Sequence, residues 1–161
     1  MERRAIMVIP YNTGQAIKLN AERFKIPASI VYGVCMTESG LEPLSVRYEP
    51  NYRWLFKPQE VRVNGCSVNT ETMMQKTSWG LMQVMGAVFR EYGYRGWLTA
   101  IINDVNAQVE FGCRHLSKKI VKYGQSAGIL AYNSGSPIKN KAGGFTNQYY
   151  LDKVLDASKQ W

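Results

Sequence analysis

A mainly α-helical domain with one small β-hairpin insertion is the fold class that this sequence predicts. Apolar residues recur at helical spacing along most of the chain, and cap and stop residues bound the segments that show it. One stretch, from Leu41 to Lys76, loses that period and holds Pro43, Pro50 and Pro58. Within it an Asn-Gly pair stands between alternating residues, the strongest short hairpin signal.

The first helix is expected to be capped by Asn12 or Thr13, with Ile17, Ala21 and Phe24 on its buried side. The residues before it, Met1 to Pro10, are basic and then briefly apolar. That run is too short for a signal h-region and lacks a small-residue cleavage site, so it reads as a docked or frayed terminus. A second helix starts at Pro27, a first-turn residue, and stops before Gly40. Ile30, Val31, Val34 and Cys35 form its apolar stripe, and Glu38 continues that stripe. In the stretch that follows, Val61 and Val63 alternate with Arg62, Asn64-Gly65 intervenes, and Cys66 and Val68 alternate with Ser67. A β-ribbon is expected there. Helix is expected again from near Thr77 through Val84 to Tyr92.

The clearest helix runs from about Asn103 to Tyr123, capped by Asn103 or Asp104 and ended by Gly124. Val105, Val109, Gly112, Cys113, Leu116 and Ile120 line one face, with Glu110, Arg114, Lys118 and Lys122 outward. A shorter helix, Ser126 to Asn133, buries Ala127, Leu130 and Ala131 before Ser134-Gly135-Ser136-Pro137 stops it. A last one, from about Thr146, packs Leu151, Val154 and Leu155.

The 161 residues suit a single domain, 1–161, able to bury a core without disulfides or metal. No run of apolar residues is long enough to span a bilayer. Cys35, Cys66 and Cys113 are scattered and odd in number, which argues against a disulfide scaffold and against a zinc site. The single histidine, His115, has no cysteine or carboxylate at ligand spacing, so no metal and no cofactor are expected. The formal charge of +8, from 20 Lys and Arg against 12 Asp and Glu, favours anionic partners. The charge is spread along the chain, and no helix-turn-helix, zinc spacing or aromatic RNA motif accompanies it. Nucleic acid is therefore not the expected partner.

Three clusters break the plain helical pattern. In Glu38-Ser39-Gly40 a carboxyl on a buried stripe would be held neutral by burial and by the negative helix end, ready to give up a proton. The same spacing allows a helix-terminal Glu turned out to water. In the block 78–86, Ser78-Trp79-Gly80-Leu81-Met82-Gln83-Val84-Met85-Gly86, Gln83 stands among apolar neighbours. Its amide would find partners on a sugar or on nearby backbone. In the block 131–135, Ala131-Tyr132-Asn133-Ser134-Gly135, a Tyr hydroxyl and an Asn amide stand together at a helix end. That Tyr could equally be core with a satisfied hydroxyl.

In order, these blocks resemble the lysozyme-like lytic transglycosylases of the soluble lytic transglycosylase (SLT) domain, particularly bacteriophage versions. Asp104, Asn106, Gly112 and Leu116 match the family's helix between the second and third blocks, and Tyr150 to Leu155 looks like its closing helix. The resemblance implies a lysozyme-like helical fold, a catalytic acid at Glu38, and a substrate-binding set of Ser39, Glu49, Ser78, Gln83, Met85, Tyr132 and Asn133. It places Tyr132 near the Glu38 carboxyl. Peptidoglycan glycan strands would be the partner, cleaved between N-acetylmuramic acid and N-acetylglucosamine with formation of a 1,6-anhydro sugar. Electrostatic contact with anionic wall or outer-membrane polymers and a monomeric state go with it.

The chain departs from the family where an insertion, 46–76, separates the first two blocks. Val46-Arg47-Tyr48-Glu49-Pro50 within it looks like the phage subgroup. Met74 takes a place where many relatives have Ser, with Ser78 as substitute, and Thr146 stands where some members carry a second acid. Glu49 is the candidate second carboxylate, either in catalysis or paired with Arg47 or Arg53. A hydrolytic lysozyme on the same fold and a non-catalytic wall-binding virion module are the competing readings. With no signal peptide in the sequence, export through a holin-type pore or carriage in a virion is expected.

Overall fold

Two helix pairs frame the protein in the computed structural model, which describes residues 11–161. The elements run α1 (Tyr11–Phe24), α2 (Ala28–Ser39), β1 (Val46–Tyr48), α3 (Pro58–Val61), α4 (Val68–Gln75), β2 (Thr77–Trp79), β3 (Val84–Met85), α5 (Gly86–Glu91), a 3-10 turn (Leu98–Asn103), α6 (Val105–Tyr123), α7 (Gln125–Ser134) and α8 (Gln148–Ser158). The fold is mainly helical, with one small antiparallel sheet among the described residues, ordered β1-β2-β3. The reading of residues 1–10 as a docked or frayed terminus lies outside the described residues.

Helix α6 is the central post. The Asp104 side chain accepts from the Ala107 N–H at its start, satisfying an orphan donor, and the chain leaves it at Gly124. Val109, Cys113 and Leu116 are fully buried along one face, against which α1 and α7 pack. Helices α2 and α8 form the second close pair. Ile17, Val31, Val34, Leu81, Phe89, Leu130 and Val154 join α6 in one core.

Several expectations need correction. Asn12 and Thr13 do not cap α1 but lie within it; Thr13 is buried, so its side chain serves the interior. The ribbon expected around Asn64-Gly65 is absent. That pair makes a turn, Gly65 having φ 85°, but the turn joins α3 to α4. The Ser67 hydroxyl accepts from Thr70 N–H and starts a helix where alternation suggested a strand. The stretch 41–76 is accordingly partly helical. Its sheet lies at its edges instead, with Val46 opposite Trp79, Arg47 opposite Ser78 and Tyr48 opposite Thr77.

The helix expected from Thr77 begins only at Gly86, because positive φ at Gly80 (71°) and Gln83 (47°) turns the chain into a β2-β3 hairpin. Leu155, expected in the core, is exposed on α8, whose inner face uses Leu151 and Val154.

The insertion is tied down by a buried polar network. Arg90 donates to both carboxylate oxygens of Glu71, at 2.7 and 2.9 Å, and both side chains are fully buried. Arg90 also donates to the carbonyls of Tyr94 and Gly96. Burial pushes the Glu71 carboxyl up, but its bonds from Arg90 and Gln75 outweigh that and leave it below the usual carboxylate range. α4, α5 and the loop after α5 are thereby fixed to one another.

Candidate active site

The site is built from the end of α2 upward. Residues Ile30 to Cys35 of α2 are buried, and three residues on, Glu38 reaches the edge of the core and lines a cleft of about 770 Å³. Gly40, with φ 63°, ends the helix, and its N–H bonds the Met36 carbonyl. The side chain of Glu38 does not turn outward. Its Oε1 accepts a 2.6 Å hydrogen bond from the hydroxyl of Tyr150 on α8, itself only 4 % exposed.

That bond depends on how closely α2 and α8 cross. A β-carbon on Gly33 would collide with the Val154 carbonyl oxygen, so only glycine lets the helices approach this far. Burial raises the Glu38 pKa above the ordinary carboxyl value; the Tyr150 bond and the Arg47 charge pull part of that back.

One row of the small sheet supplies the next wall. Arg47, Ser78 and Met85 sit opposite one another across β1, β2 and β3, so their side chains share a face, and all three line the cleft. Trp79, one residue along, points the other way and donates from Nε1 to the Met74 carbonyl. Gln83 is held in its left-handed conformation by its own amide. Nε2 donates to the carbonyls of Ser45 and Gly80, and Oε1 accepts from the Ser78 hydroxyl at 2.8 Å. Its amide thus bonds backbone and a neighbouring hydroxyl, and the side chain also borders the cleft.

Ser39 does not line the cleft. Its hydroxyl bridges the Cys35 and Leu81 carbonyls, tying α2 to the turn after β2. Met74 is buried in α4, and Thr146 is exposed; neither borders the cleft.

The end of α7 forms the opposing wall with Tyr132 and Asn133. The Tyr132 hydroxyl donates to the Met82 carbonyl at 2.6 Å, so Tyr150, not Tyr132, holds the Glu38 carboxyl. Burial first, and the nearby Glu38 charge second, push the Tyr132 phenol well above its ordinary value. Asn147 donates to the Asn133 side chain at 3.1 Å and fixes its rotamer. His115, edge-on to the Tyr132 ring, completes this wall, with its Nδ1 2.9 Å from the Tyr92 hydroxyl. Burial first, then Lys119 and Lys118, lower its pKa to about 4, so it is neutral at physiological pH.

Glu49 lines the same cleft and pairs with Arg47 at 2.5 Å, which is the structural alternative for this residue. Among the described residues no group of His, Cys, Asp and Glu is placed to hold a metal ion. Cys35, Cys66 and Cys113 are free and buried, and burial pushes the Cys113 thiol up to about 12.

Tyr150 is a site residue that the sequence did not single out, as are Tyr52 and Trp54 in the cleft lining. The position of Tyr150 in an apolar helical stripe reads as packing, and no local signal joins it to a carboxyl on another helix. Together the arrangement offers a raised-pKa carboxyl in an open groove, flanked by amides, hydroxyls and the Arg47 guanidinium. That is equipment for protonating a leaving oxygen on a polyhydroxy substrate.

A transglycosylase SLT domain model matches residues 15–153, most of the chain. No curated protein and no solved structure matches it.

Proposed function

The chain belongs to the transglycosylase SLT domain family, peptidoglycan-degrading lytic transglycosylases, and on that premise we propose that Glu38 is its catalytic acid. The observation that carries this reading is the carboxyl itself. It lies in the cleft, its pKa is raised by burial, and Tyr150 orients it.

In the proposed reaction Glu38 gives its proton to the glycosidic oxygen between N-acetylmuramic acid and N-acetylglucosamine. The C1–O bond breaks, and the muramic acetamido oxygen stabilises the positive charge at C1. Glu38, now a carboxylate, takes the proton of the C6 hydroxyl as that oxygen closes onto C1. The acid is regenerated, a 1,6-anhydro end forms, and no water is consumed. Tyr150 would steady the carboxylate between the two proton transfers. Ser78, Gln83, Met85, Tyr132 and Asn133 would contact the sugars, while Ser39 would act from behind by holding α2 in place. No cofactor enters this route.

One observation favours a second reading. Glu49 shares the cleft, and a second carboxylate could direct water to C1 as in a hydrolytic lysozyme. Its pairing with Arg47 favours the structural role instead. Mass analysis of muropeptides released from purified sacculi decides between them. Anhydro ends support the transglycosylase route; hydrated reducing ends alone overturn it.

We further propose one domain spanning 1–161, acting as a monomer, in a phage lysin or a virion-associated wall-penetrating factor. The phage-like segment Val46 to Pro50 supports that origin. The charge of +8 supports adhesion to anionic wall or outer-membrane polymers. No helix among the described residues is long and apolar enough to cross a membrane. A partner that opens the membrane, or delivery from outside, would bring the chain to the wall.

A further inference from the structure

Between β1 and α3 the insertion carries a loop whose ends are firmly held and whose tryptophan, Trp54, stands mostly open to solvent. The Glu49 N–H bonds the Lys76 carbonyl at 2.8 Å, and Lys76 Nζ bonds the Pro50 carbonyl at 3.1 Å. At the far end Phe56 exchanges two bonds with the Gln75 amide, N–H to Oε1 at 2.8 Å and carbonyl from Nε2 at 3.0 Å. Gln75 is fully buried and also bonds Glu71, the partner of Arg90. A charged, fully buried network thus anchors this loop.

On it Trp54 stands 74 % exposed and borders the cleft that contains Glu38. Among the described residues its one ring contact is with Tyr52, edge-on at 5.5 Å and 68°, which also borders the cleft. That contact sets the edge of the indole against a neighbour and leaves most of the ring open. Arg47, Glu49 and Asn51 border the cleft beside it, offering donors and acceptors for hydroxyls.

We propose that Trp54, braced by Tyr52, is a carbohydrate-stacking platform that binds a hexopyranose unit of the glycan away from the bond being broken. A pyranose in the chair form has one face of C–H groups, and an exposed indole is the side chain best matched to it by area and by its electron-rich face. Stacking needs little reorganisation here, because the loop is already pinned at both ends. The cleft has room for more than one sugar ring. A second contact, on the inserted loop rather than on α2, would fix strand register and favour long strands over short fragments. This inference rests on the glycan-cleaving reading of the cleft.

The test uses the full chain, its Trp54→Ala and Trp54→Phe variants, and peptide-free glycan strands as substrate. Trp54→Ala is expected to raise KM about fivefold with kcat within about twofold, and Trp54→Phe to restore most of the difference. In parallel, each Trp54 substitution is placed in the Glu38→Gln chain and pelleted with purified sacculi. The same rank order in binding is expected. Unchanged KM and unchanged pelleting for Trp54→Ala overturn the platform, as does a loss of kcat together with a lower melting temperature. A parent chain that cleaves nothing overturns the reading of Glu38, while the pelleting series still decides Trp54.

Discussion

The Tyr150 hydroxyl and the Glu38 carboxyl, 112 residues apart in sequence, meet at 2.6 Å across the α2-α8 contact. Burial raises the acid's pKa and this bond lowers it, so the carboxyl's poise is a balance between two helices. Tyr150→Phe removes the donor and keeps the ring. Without the bond to its charged form, Glu38 holds its proton more tightly. The high-pH limb of the kcat/KM profile for sacculi is expected to move to higher pH. A limb that stays in place or moves lower contradicts this role for Tyr150.

Gly33→Ala tests the close approach that makes the bond reachable. The added methyl meets the Val154 carbonyl, backbone that cannot rotate away, so α8 must shift outward. Chemical denaturation is expected to show a loss of about 1–3 kcal/mol. Wall-cleaving activity should fall further than the folded fraction does, because Tyr150 leaves with α8. Activity that tracks the folded fraction alone would separate the helix contact from the site.

The stability of the fold against acid has two stages with different causes. His115 titrates near 6.5 when unfolded and at about 4 in the fold, so the unfolded chain takes up its proton first as pH falls. Its contribution is complete above pH 6.5 and is lost between 6.5 and about 4, a total of about 3 kcal/mol. Glu71 acts lower. Its folded pKa lies below the ordinary 4.5, so its contribution is present above that value and is lost as pH falls past it. Denaturant melts across this range should show both falls, and His115→Gln should flatten only the upper one. A slope between pH 6.5 and 4 that survives the substitution rules out His115 as its source.

Glu38 has the opposite sign. Its folded pKa is raised, so the fold loses stability as pH rises past the unfolded value of 4.5 and the carboxyl ionises. Glu38→Gln is therefore expected to melt at a higher temperature than the parent at pH 7, the usual trade of stability for a poised site. A lower melting temperature would mean that the carboxylate is held favourably after all.

The parts legible in the sequence are those whose signals are local. Asp104, the Val109-Cys113-Leu116 stripe and Gly124 mark α6 within its own length, and the apolar run into Glu38 does the same for α2. The strands were not legible because they are two or three residues long, too short for a period of two to declare itself, and β1 is exposed throughout. Alternation around Asn64-Gly65 misled for the same reason, since Val61 and Val68 are helix-end residues. In the candidate site, Gln83, Tyr132 and Asn133 stood out as polar or aromatic breaks in apolar runs. Tyr150 did not, because its partner is reached only when α2 and α8 cross. The tether holding Trp54 near the cleft was equally hidden, as it runs through Gln75 and Glu71 on a different helix.

The most direct measurement is the release of soluble muropeptides from purified sacculi by Glu38→Gln beside the parent chain, with folding verified by circular dichroism and retained sacculus binding by pelleting. Removal of the proton with little change in volume is expected to slow release by at least about a hundredfold while binding persists. Release at the parent's rate by the folded variant would contradict the assignment of the acid to Glu38.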